Sequence, residues 1–267
     1  METAKVSGTT SAVQGPLWSE RAEEWRRYQE NAHLGLFEAV LNELSPGRGA
    51  RLLDVGCGSG LALERAAARG AAVSGLDASS GQLEQAKARV PAAELKTGDL
   101  EALPFDDGAF DFVTGFNAFQ YAARPVAALK EARRVLRPGG RLAIASWGAP
   151  ERCEATPYLN ALKSFMPPPP PGAPSPVALS APGVLESLCR DAGLEAVKSG
   201  NLSCAFEYPD TVSALRGLLA AGPAVAAIAR GGEGKVQAAV LEALAPYRTS
   251  AGGYRLENEF RFVIAKR

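Results

Sequence analysis

The stretch "LLDVGCGSG", from Leu52 to Gly60, limits the possible folds of this chain more than any other feature. A short aliphatic run ends in an aspartate, and glycines then occupy every second position before a segment with helical character. A strand, a glycine turn and a helix in this order aim backbone N–H groups at a ligand. Glycine permits positive φ and a close approach of the backbone. The stretch therefore predicts a nucleotide-type pocket at the end of a strand.

The region around this loop alternates strand and helix patterns. Because each crossover is short, the alternation predicts a parallel, doubly wound α/β sheet with right-handed connections. The second helix is expected to be capped by Ser79 or Ser80. The predicted strands are "RLLDV", "AAVSGLD", "AELKTGD", "FDFVTGF" and "RLAIASW", and the helices are "GLALERAAARG", "SSGQLEQAKARV" and "VAALKEARRVL".

The flanking regions complete a three-part organisation. Residues 1–17 are small and polar and predict a flexible tail, and residues 18–48 predict an N-terminal helical cover with a break near Gly35. Residues 49–267 would form the main domain, in which "SCAFEYP" and "NEFRFVIAKR" bring the sheet to seven strands. Between those two strands, residues 210–250 predict a helical insertion that acts as a lid, broken at Gly222–Pro223 and Gly231–Gly232. "MPPPPPGAPSP" predicts a stiff surface loop.

Composition excludes several classes of function. Lysine and arginine together number 29, and so do aspartate and glutamate, so no global positive field attracts nucleic acid or an anionic membrane. No apolar run approaches the roughly 20 residues of a membrane-spanning helix. The four cysteines are far apart, which supports neither a disulfide framework nor a zinc site and favours a cytoplasmic location. We expect no metal.

The spacing of the loop distinguishes two nucleotide ligands. The dinucleotide fingerprint places its third glycine at position 61, but this chain has leucine there and glycine at 60. Asp54 precedes the loop, where its charge would repel a pyrophosphate but could hold an ammonium group. Asp77 ends the next predicted strand, where a carboxylate accepts hydrogen bonds from ribose hydroxyls. The pattern favours S-adenosylmethionine over a nicotinamide cofactor.

With these residues in place, the chain resembles the class I S-adenosylmethionine-dependent methyltransferases. "LLDVGCGSG" is similar to their first motif, and the resemblance covers roughly residues 50 to 147. "LPF", "FD" and "RVLRPGG" most resemble the small-molecule branch related to ubiquinone and menaquinone biosynthesis enzymes. The later matching segments are "VSGLDASSGQLEQA", "TGDLEALPFDDGAFDFV" and "ALKEARRVLRPGGRLAIASW".

The resemblance implies a Rossmann-like fold and a set of cofactor-binding residues. Asp77 would bind the ribose, and Asp99 and Leu100 would lie at the adenine. From their sequence positions alone, Asp54, Asp77 and Asp99 could instead be a helix cap, an N-cap and a turn former. Cys57 is interpreted as a small filler rather than a nucleophile. The full predicted set is Asp54, Gly56, Cys57, Gly58, Gly60, Asp77, Ala78, Gln82, Asp99, Leu100, Phe116 and Asn117.

The acceptor side is less defined. The segment after the fourth strand, "TGFNAFQYA", has no histidine, unlike many of the proteins it resembles. It also lacks the N-P-P-Y tetrapeptide that nucleic-acid and protein-glutamine N-methyltransferases carry there, which together with zero net charge argues against a nucleic-acid substrate. Trp18, Trp25, Tyr28 and His33 are either core or an aromatic substrate wall, and His33 is a candidate general base. No catalytic residue is assigned.

Together these observations predict methyl transfer from S-adenosylmethionine to a small-molecule acceptor. Two alternatives remain open, which are a non-catalytic S-adenosylmethionine-binding sensor or scaffold and a nicotinamide oxidoreductase. Neither the acceptor atom nor the oligomeric state follows from the sequence.

Overall fold

The strands of the protein form one sheet. The computed structural model describes residues 10–166 and 179–267, so most of the proline-rich segment predicted to be a loop lies outside the described residues. In chain order the strands are β1 (Arg51–Val55), β2 (Ala72–Asp77), β3 (Glu94–Thr97), β4 (Phe110–Phe116), β5 (Leu136–Trp147), β6 (Glu195–Tyr208) and β7 (Tyr254–Lys266). Their order is β3-β2-β1-β4-β5-β7-β6. Strands β1 to β5 pair in parallel, and β7 is antiparallel to both β5 and β6. The predicted seven-stranded, mostly parallel sheet is confirmed.

Helices cover both faces of this sheet. In chain order they are α1 (Thr10–Ser19), α2 (Ala22–Glu24), α3 (Leu34–Leu44), α4 (Leu61–Ala67), α5 (Ser80–Arg89), α6 (Pro125–Val135), α7 (Thr156–Lys163), α8 (Val184–Asp191), α9 (Thr211–Leu218), α10 (Gly222–Gly231) and α11 (Glu233–Leu244). Helices α6 and α8 bury apolar side chains on one face, and α3, α4, α5, α7 and α9 to α11 bury theirs on the other. The two-faced coverage explains why the central strands are almost uniformly apolar.

Local sequence signals account for several helix ends. Ser79 caps α5 by accepting a hydrogen bond from the Gln82 N–H at 3.0 Å. Asp210 caps α9 in the same way, through the Ser213 N–H at 2.7 Å. Helix α10 begins at Gly222 and ends at Gly231, so both breaks predicted in the helical insertion are present.

Two expectations for the N-terminal region are wrong. Residues 10–17, expected to be part of a flexible tail, form most of α1. Polar anchors hold this helix, since the Thr10 hydroxyl donates to Glu101 at 3.1 Å and Ser19 bonds to Ser79 at 2.8 Å. The break expected near Gly35 lies earlier, because a π-helical turn (Trp25–Gln29) and a 3₁₀ turn (Glu30–His33) precede α3.

Strand β6 is longer than the segment that its apolar alternation predicted. Only "SCAFEYP" alternates clearly, yet the strand begins at Glu195. Its first half is largely exposed and polar, and it is held by main-chain pairing with β7 rather than by buried side chains. An exposed edge strand of this kind leaves no hydrophobic alternation for a sequence to reveal.

The helices also bear on membrane insertion. Within residues 10–166 and 179–267, no single helix is long and apolar enough to cross a membrane. Helices α9 and α10 reach that length and apolarity only when taken together, across a bend of 96°.

Candidate functional site

A cavity opens where the order of the parallel strands reverses. Strand β1 pairs with β2 on one side and with β4 on the other, and the crevice beyond the carboxyl ends of such strands is where open α/β sheets bind ligands. About 1380 Å³ of empty space lies within and at the mouth of this cavity, open solvent included. It is lined by eleven of the twelve predicted cofactor residues, namely Asp54, Gly56, Cys57, Gly58, Asp77, Ala78, Gln82, Asp99, Leu100, Phe116 and Asn117.

The glycine loop forms the floor of this cavity. The N–H groups of Gly56 and Cys57 both donate to the Leu76 carbonyl, at 2.7 and 3.0 Å, and so tie the loop to β2. A Cβ at Gly56 would lie 2.5 Å from the Ala118 Cβ, so only glycine fits there. Gly60 has a φ of 84° and does not line the cavity. It allows the loop to pack against Ala86, which a Cβ at Gly60 would meet at 3.0 Å.

Cys57 is a buried filler within the loop. Its sulfur lies against Gly75, where an added Cβ would come within 2.8 Å of it. Burial raises the pKa of the Cys57 thiol well above its ordinary value, and the nearby Asp77 and Asp54 carboxylates act in the same direction. The thiol is therefore protonated and is not a nucleophile.

Asp54 is a fully buried carboxylate at the carboxyl end of β1. Its side chain is 2% exposed, and its Oδ1 accepts a hydrogen bond from the Thr114 hydroxyl at 2.7 Å. Burial raises the pKa of Asp54 to about 7, the Thr114 hydrogen bond opposes that shift, and the charges of Asp77 and Glu30 add to it. A carboxylate that is this costly to ionise alone is well suited to a cationic ligand group.

Asp77 connects β2 to the glycine loop. Its Oδ2 accepts the Gly58 N–H at 2.8 Å, and its Oδ1 accepts the Ser79 N–H at 2.9 Å. Burial raises the pKa of Asp77, although the hydrogen bonds from the Ser79 and Gly58 N–H groups lower it in part. Because a carboxylate has about four lone-pair directions, acceptor capacity remains for two further donors from the cavity.

Asp99 meets the N-terminal helix at the far end of the cavity. The Ser11 N–H donates to its Oδ2 at 2.8 Å, and the Glu101 N–H donates to its Oδ1 at 2.9 Å. Burial acts to raise the pKa of Asp99, but these N–H groups bring it below its ordinary value. Helix α1 also lines the cavity, through Thr10, Ser11, Gln14 and Trp18.

Two side-chain amides in the cavity have unused acceptors. The Gln82 Oε1 and the Asn117 Oδ1 are buried and have no hydrogen-bond partner. Asn117 also has a φ of 52°, a left-handed conformation in a non-glycine residue directly after β4. Strain and unpaired buried acceptors at one site are typical of a ligand-binding edge.

Glu30 joins the N-terminal helices to the glycine loop, a role that the sequence did not indicate. Its side chain forms an ion pair with Arg89, and its Oε1 accepts the Leu61 N–H at 3.2 Å. Arg89 also donates to the Ser59 carbonyl at 2.9 Å. Gln29 and Glu30 lie where the π-helical turn meets the 3₁₀ turn, and both line the cavity.

The other end of the cavity is aromatic. We call Trp25, His33, Phe37, Trp147 and Phe206 the aromatic wall, and all of them line the cavity. The His33 ring centroid lies 5.8 Å from that of Trp25 and 5.2 Å from that of Phe206. Trp18 also lines the cavity, next to Trp25, whereas Tyr28 does not and instead accepts a hydrogen bond from Arg216 at 2.9 Å. The sequence missed Trp147, Tyr158 and Phe206, because they come from distant elements.

His33 is buried within this wall. Burial lowers the pKa of His33 to about 4, although the carbonyl groups of Glu30 and Gln29 raise it in part. Its Nδ1 makes no hydrogen bond of good geometry. A neutral imidazole with so low a pKa is a poor proton acceptor near pH 7, which weakens the hypothesis that His33 is a general base.

Comparison with known proteins identifies the family. Residues 53–144 match a methyltransferase domain family. The malonyl-[acyl-carrier protein] O-methyltransferase of Erwinia pyrifoliae is 31% identical over 199 residues, which cover 74% of this chain and 72% of that protein. The chain belongs to the class I S-adenosylmethionine-dependent methyltransferases. Its cofactor is therefore S-adenosylmethionine, and the prediction of this enzyme class from the motifs is confirmed.

Other relatives define how far the similarity extends. The demethylmenaquinone methyltransferase of Beutenbergia cavernae is 38% identical over 112 residues, 42% of this chain and 47% of that protein. The match spans 32% of a transposon-encoded Streptomyces fradiae protein. Among solved structures, the [4+2]-cyclase SpnF has a TM-score of 0.63 at 20% identity, with 97% of each chain covered. At that identity it shows the shared fold alone.

The cofactor end of the cavity fits S-adenosylmethionine on its own geometry. The Gln82 and Asn117 oxygens are unpaired acceptors, and Asp77 has unused acceptor capacity. Beside Gly58, an added Cβ would meet only the Gln82 Oε1, at 3.9 Å, so space is open directly above the loop. Acidic side chains at Asp54, Asp77 and Asp99 match a ligand that carries a sulfonium and an ammonium group.

Proposed function

We propose that this methyltransferase acts on a small molecule bound in the cavity. The observation that carries the proposal is the continuity of one cavity from the glycine loop to the aromatic wall. The cavity continues past the predicted cofactor residues to the aromatic wall, so a second binding region lies beside the cofactor residues. A recessed cavity whose described lining has no lysine or arginine does not suit a nucleic-acid acceptor. The four buried, free cysteines fit a reducing cytoplasm.

The cofactor would be held by the residues that the sequence predicted. We assign the ammonium group to Asp54, the ribose hydroxyls to Asp77 and the adenine edge to Asp99, with Leu100 and Ala78 beside the ring. Gln82 and Asn117 offer their unpaired oxygens. When bound, S-adenosylmethionine supplies a sulfonium methyl group that passes to an acceptor lone pair, and any proton on the acceptor atom leaves to base or water.

The chain itself contributes position and the exclusion of water. Phe116 ends β4 beside the loop, and its ring centroid lies 4.7 Å from that of Phe37, which joins the cofactor end to the aromatic wall. Helices α9 and α10 close the other side through Leu218, Ala221 and Pro223. Holding two reactants in line at about 3–3.5 Å can contribute about 7–11 kcal/mol to catalysis, without an assigned base.

Methyl transfer can be tested without knowing the acceptor. We expect the full chain, incubated with S-adenosylmethionine labelled in its methyl group and a small-metabolite extract, to label a low-molecular-weight product. Heat-denatured chain provides the background. If the chain binds the cofactor but labels nothing from extracts of several bacteria, it is a non-catalytic sensor or scaffold and the enzymatic proposal fails.

Helix α1 supplies a prediction about cofactor retention. A Cβ at Gly15 would lie 2.5 Å from the Ala78 carbonyl oxygen, which is backbone and cannot move aside. Gly15→Ala should therefore displace α1 and weaken S-adenosylhomocysteine binding about tenfold, although alanine favours an isolated helix by about 1 kcal/mol. Isothermal titration measures the affinity.

The matched control lies on the same helix. Val13 is 56% exposed, so Val13→Ala alters the helix surface without touching Ala78, and it should bind like the wild type. An unchanged or tighter affinity in Gly15→Ala would mean that α1 does not cover the bound cofactor.

A further inference from the structure

The aromatic wall is the acceptor end of the cavity by its position. Phe37 joins it to Phe116 at the end of β4, and Trp147 continues it, with a ring centroid 5.8 Å from that of Phe206. Tyr158, Leu159 and Leu218 line the same region. A ligand there is surrounded by flat and aliphatic surfaces, which favour ring stacking and edge contacts.

Charge is distributed unevenly along the cavity. Among the described residues that line it, none is lysine or arginine. The carboxylates that line it are Glu30, Asp54, Asp77 and Asp99, and Glu30 is paired with Arg89. His33, the remaining basic side chain of the lining, is neutral because its pKa is about 4. An acceptor with its own carboxylate or phosphate would be buried without a protein cation and among like charges, which is costly.

Hydrogen-bonding capacity at this end is also limited. The Tyr158 hydroxyl donates to the Leu218 carbonyl at 2.7 Å, and the Gln120 Oε1 accepts from the Ser146 hydroxyl at 2.7 Å. The Gln29 Oε1 accepts from the Tyr208 hydroxyl at 2.5 Å. Since these groups are already engaged, the His33 imidazole stands out among the polar groups of the aromatic wall, because its Nδ1 is buried without a hydrogen-bond partner.

We propose that the methyl acceptor is an uncharged, ring-containing molecule that packs against the aromatic wall with a hydroxyl group near His33, and that acceptors bearing a carboxylate or phosphate are rejected. This deepens the proposed function and depends on it. It also implies that the acceptor of this chain differs in charge from that of the related malonyl-[acyl-carrier protein] O-methyltransferase, because a malonyl group ends in a carboxylate.

The tryptophans of the chain provide the measurement. The sequence contains three, Trp18, Trp25 and Trp147, and all line the cavity. Their fluorescence therefore reports occupancy directly. The full chain is first titrated with S-adenosylhomocysteine, and the saturated complex is then titrated at pH 7.5 with 2-naphthol and with 2-naphthoate, which differ mainly in charge.

We expect 2-naphthol to bind at least tenfold more tightly than 2-naphthoate. Leu159→Arg places a cation in the lining and should improve 2-naphthoate binding about tenfold. Leu215→Arg is the matched control, because Leu215 is half-buried like Leu159 but does not line the cavity, and it should leave the preference unchanged. His33→Phe should weaken 2-naphthol binding several-fold without altering S-adenosylhomocysteine binding.

Each failure has its own meaning. Absence of S-adenosylhomocysteine binding overturns the proposed function and this inference with it. Normal S-adenosylhomocysteine binding with equal affinity for the two probes, tighter 2-naphthoate binding, or no response to either probe overturns only the assignment of an uncharged ring acceptor.

Discussion

Asp77→Ala should reduce the affinity for S-adenosylhomocysteine at least 100-fold. Two ribose hydroxyls donating to one carboxylate form charge-assisted hydrogen bonds worth about 1.5–3 kcal/mol each, and alanine removes both. The substitution also frees the Gly58 and Ser79 N–H groups, which Asp77 holds at 2.8 and 2.9 Å. The glycine loop therefore loses its link to the end of β2 as well as a ligand contact. Isothermal titration gives the affinity directly.

Fold integrity must be separated from binding in this experiment. Burial raises the pKa of Asp77, so the carboxylate is already held at some cost and its removal need not unfold the chain. Far-UV circular dichroism checks the fold. Asp106→Ala, at an exposed acidic position, should bind like the wild type. If Asp77→Ala is folded and retains the wild-type affinity, Asp77 does not bind the ribose.

The central part of the fold was predictable because its signals are local. In residues 51–147, each strand end carries its own marker, such as Asp54 before the glycine loop and Asp77 before the Ser79 cap. These residues are adjacent in sequence to the elements that they terminate. The glycine loop and Asp77 could therefore be predicted from spacing, whereas Asp99 was added to the predicted site by the resemblance to the methyltransferases.

The aromatic wall was predicted only in part, for a physical reason. Trp147 ends β5, Phe206 lies on the edge strand β6 and Tyr158 lies on α7, and only tertiary folding brings them to His33. Nothing near Phe206 in the sequence distinguishes a cavity-lining ring from a core ring. Charge was equally hidden, since a net charge of zero says nothing about a cavity whose described lining has no lysine or arginine.

The N-terminal region was predicted only in part. Helix α1 has no apolar stripe that a sequence pattern would reveal. Hydrogen bonds to Asp99, Glu101 and Ser79 hold it in place instead. The expected helical period also failed at Trp25–Gln29, where the π-helical turn changes which residues share a face. Tyr28 consequently faces Arg216, and Gln29 takes the cavity position.

Affinity for the cofactor should fall as the pH drops below 7. Burial raises the pKa of Asp54 to about 7 in the cofactor-free protein, so acidification protonates the group assigned to the cofactor ammonium. Binding a cation favours ionised Asp54, which means that affinity is full above pH 7 and declines below it, by up to about tenfold per pH unit. Titration of S-adenosylhomocysteine from pH 5.5 to 8.5 measures the profile.

Thr114 provides a variant that shifts this profile without touching the ligand. Its hydroxyl donates to the Asp54 Oδ1 and favours the ionised form. Thr114→Val should raise the pKa of Asp54 and move the affinity loss to higher pH, with recovery by pH 8.5. Thr249→Val, at a threonine outside the cavity lining, should leave the profile unchanged. A profile that is flat in the wild type would exclude Asp54 as the ammonium ligand.

Asp54→Asn should make the cofactor-free protein more stable at pH 8 and abolish its cofactor binding. Between about pH 4 and 7 the folded state retains a proton that the unfolded chain has released, so rising pH lowers stability, on the order of 4 kcal/mol across that window. Asparagine does not ionise, so it removes this loss of stability, and its oxygen can still accept the Thr114 hydrogen bond. Its buried NH₂ group has no partner, which destabilises the folded state by about 1–3 kcal/mol. The melting temperature should therefore rise at pH 8 and not at pH 5. A lower melting temperature at both pH values would mean that the ionised carboxylate stabilises the fold rather than serving the ligand.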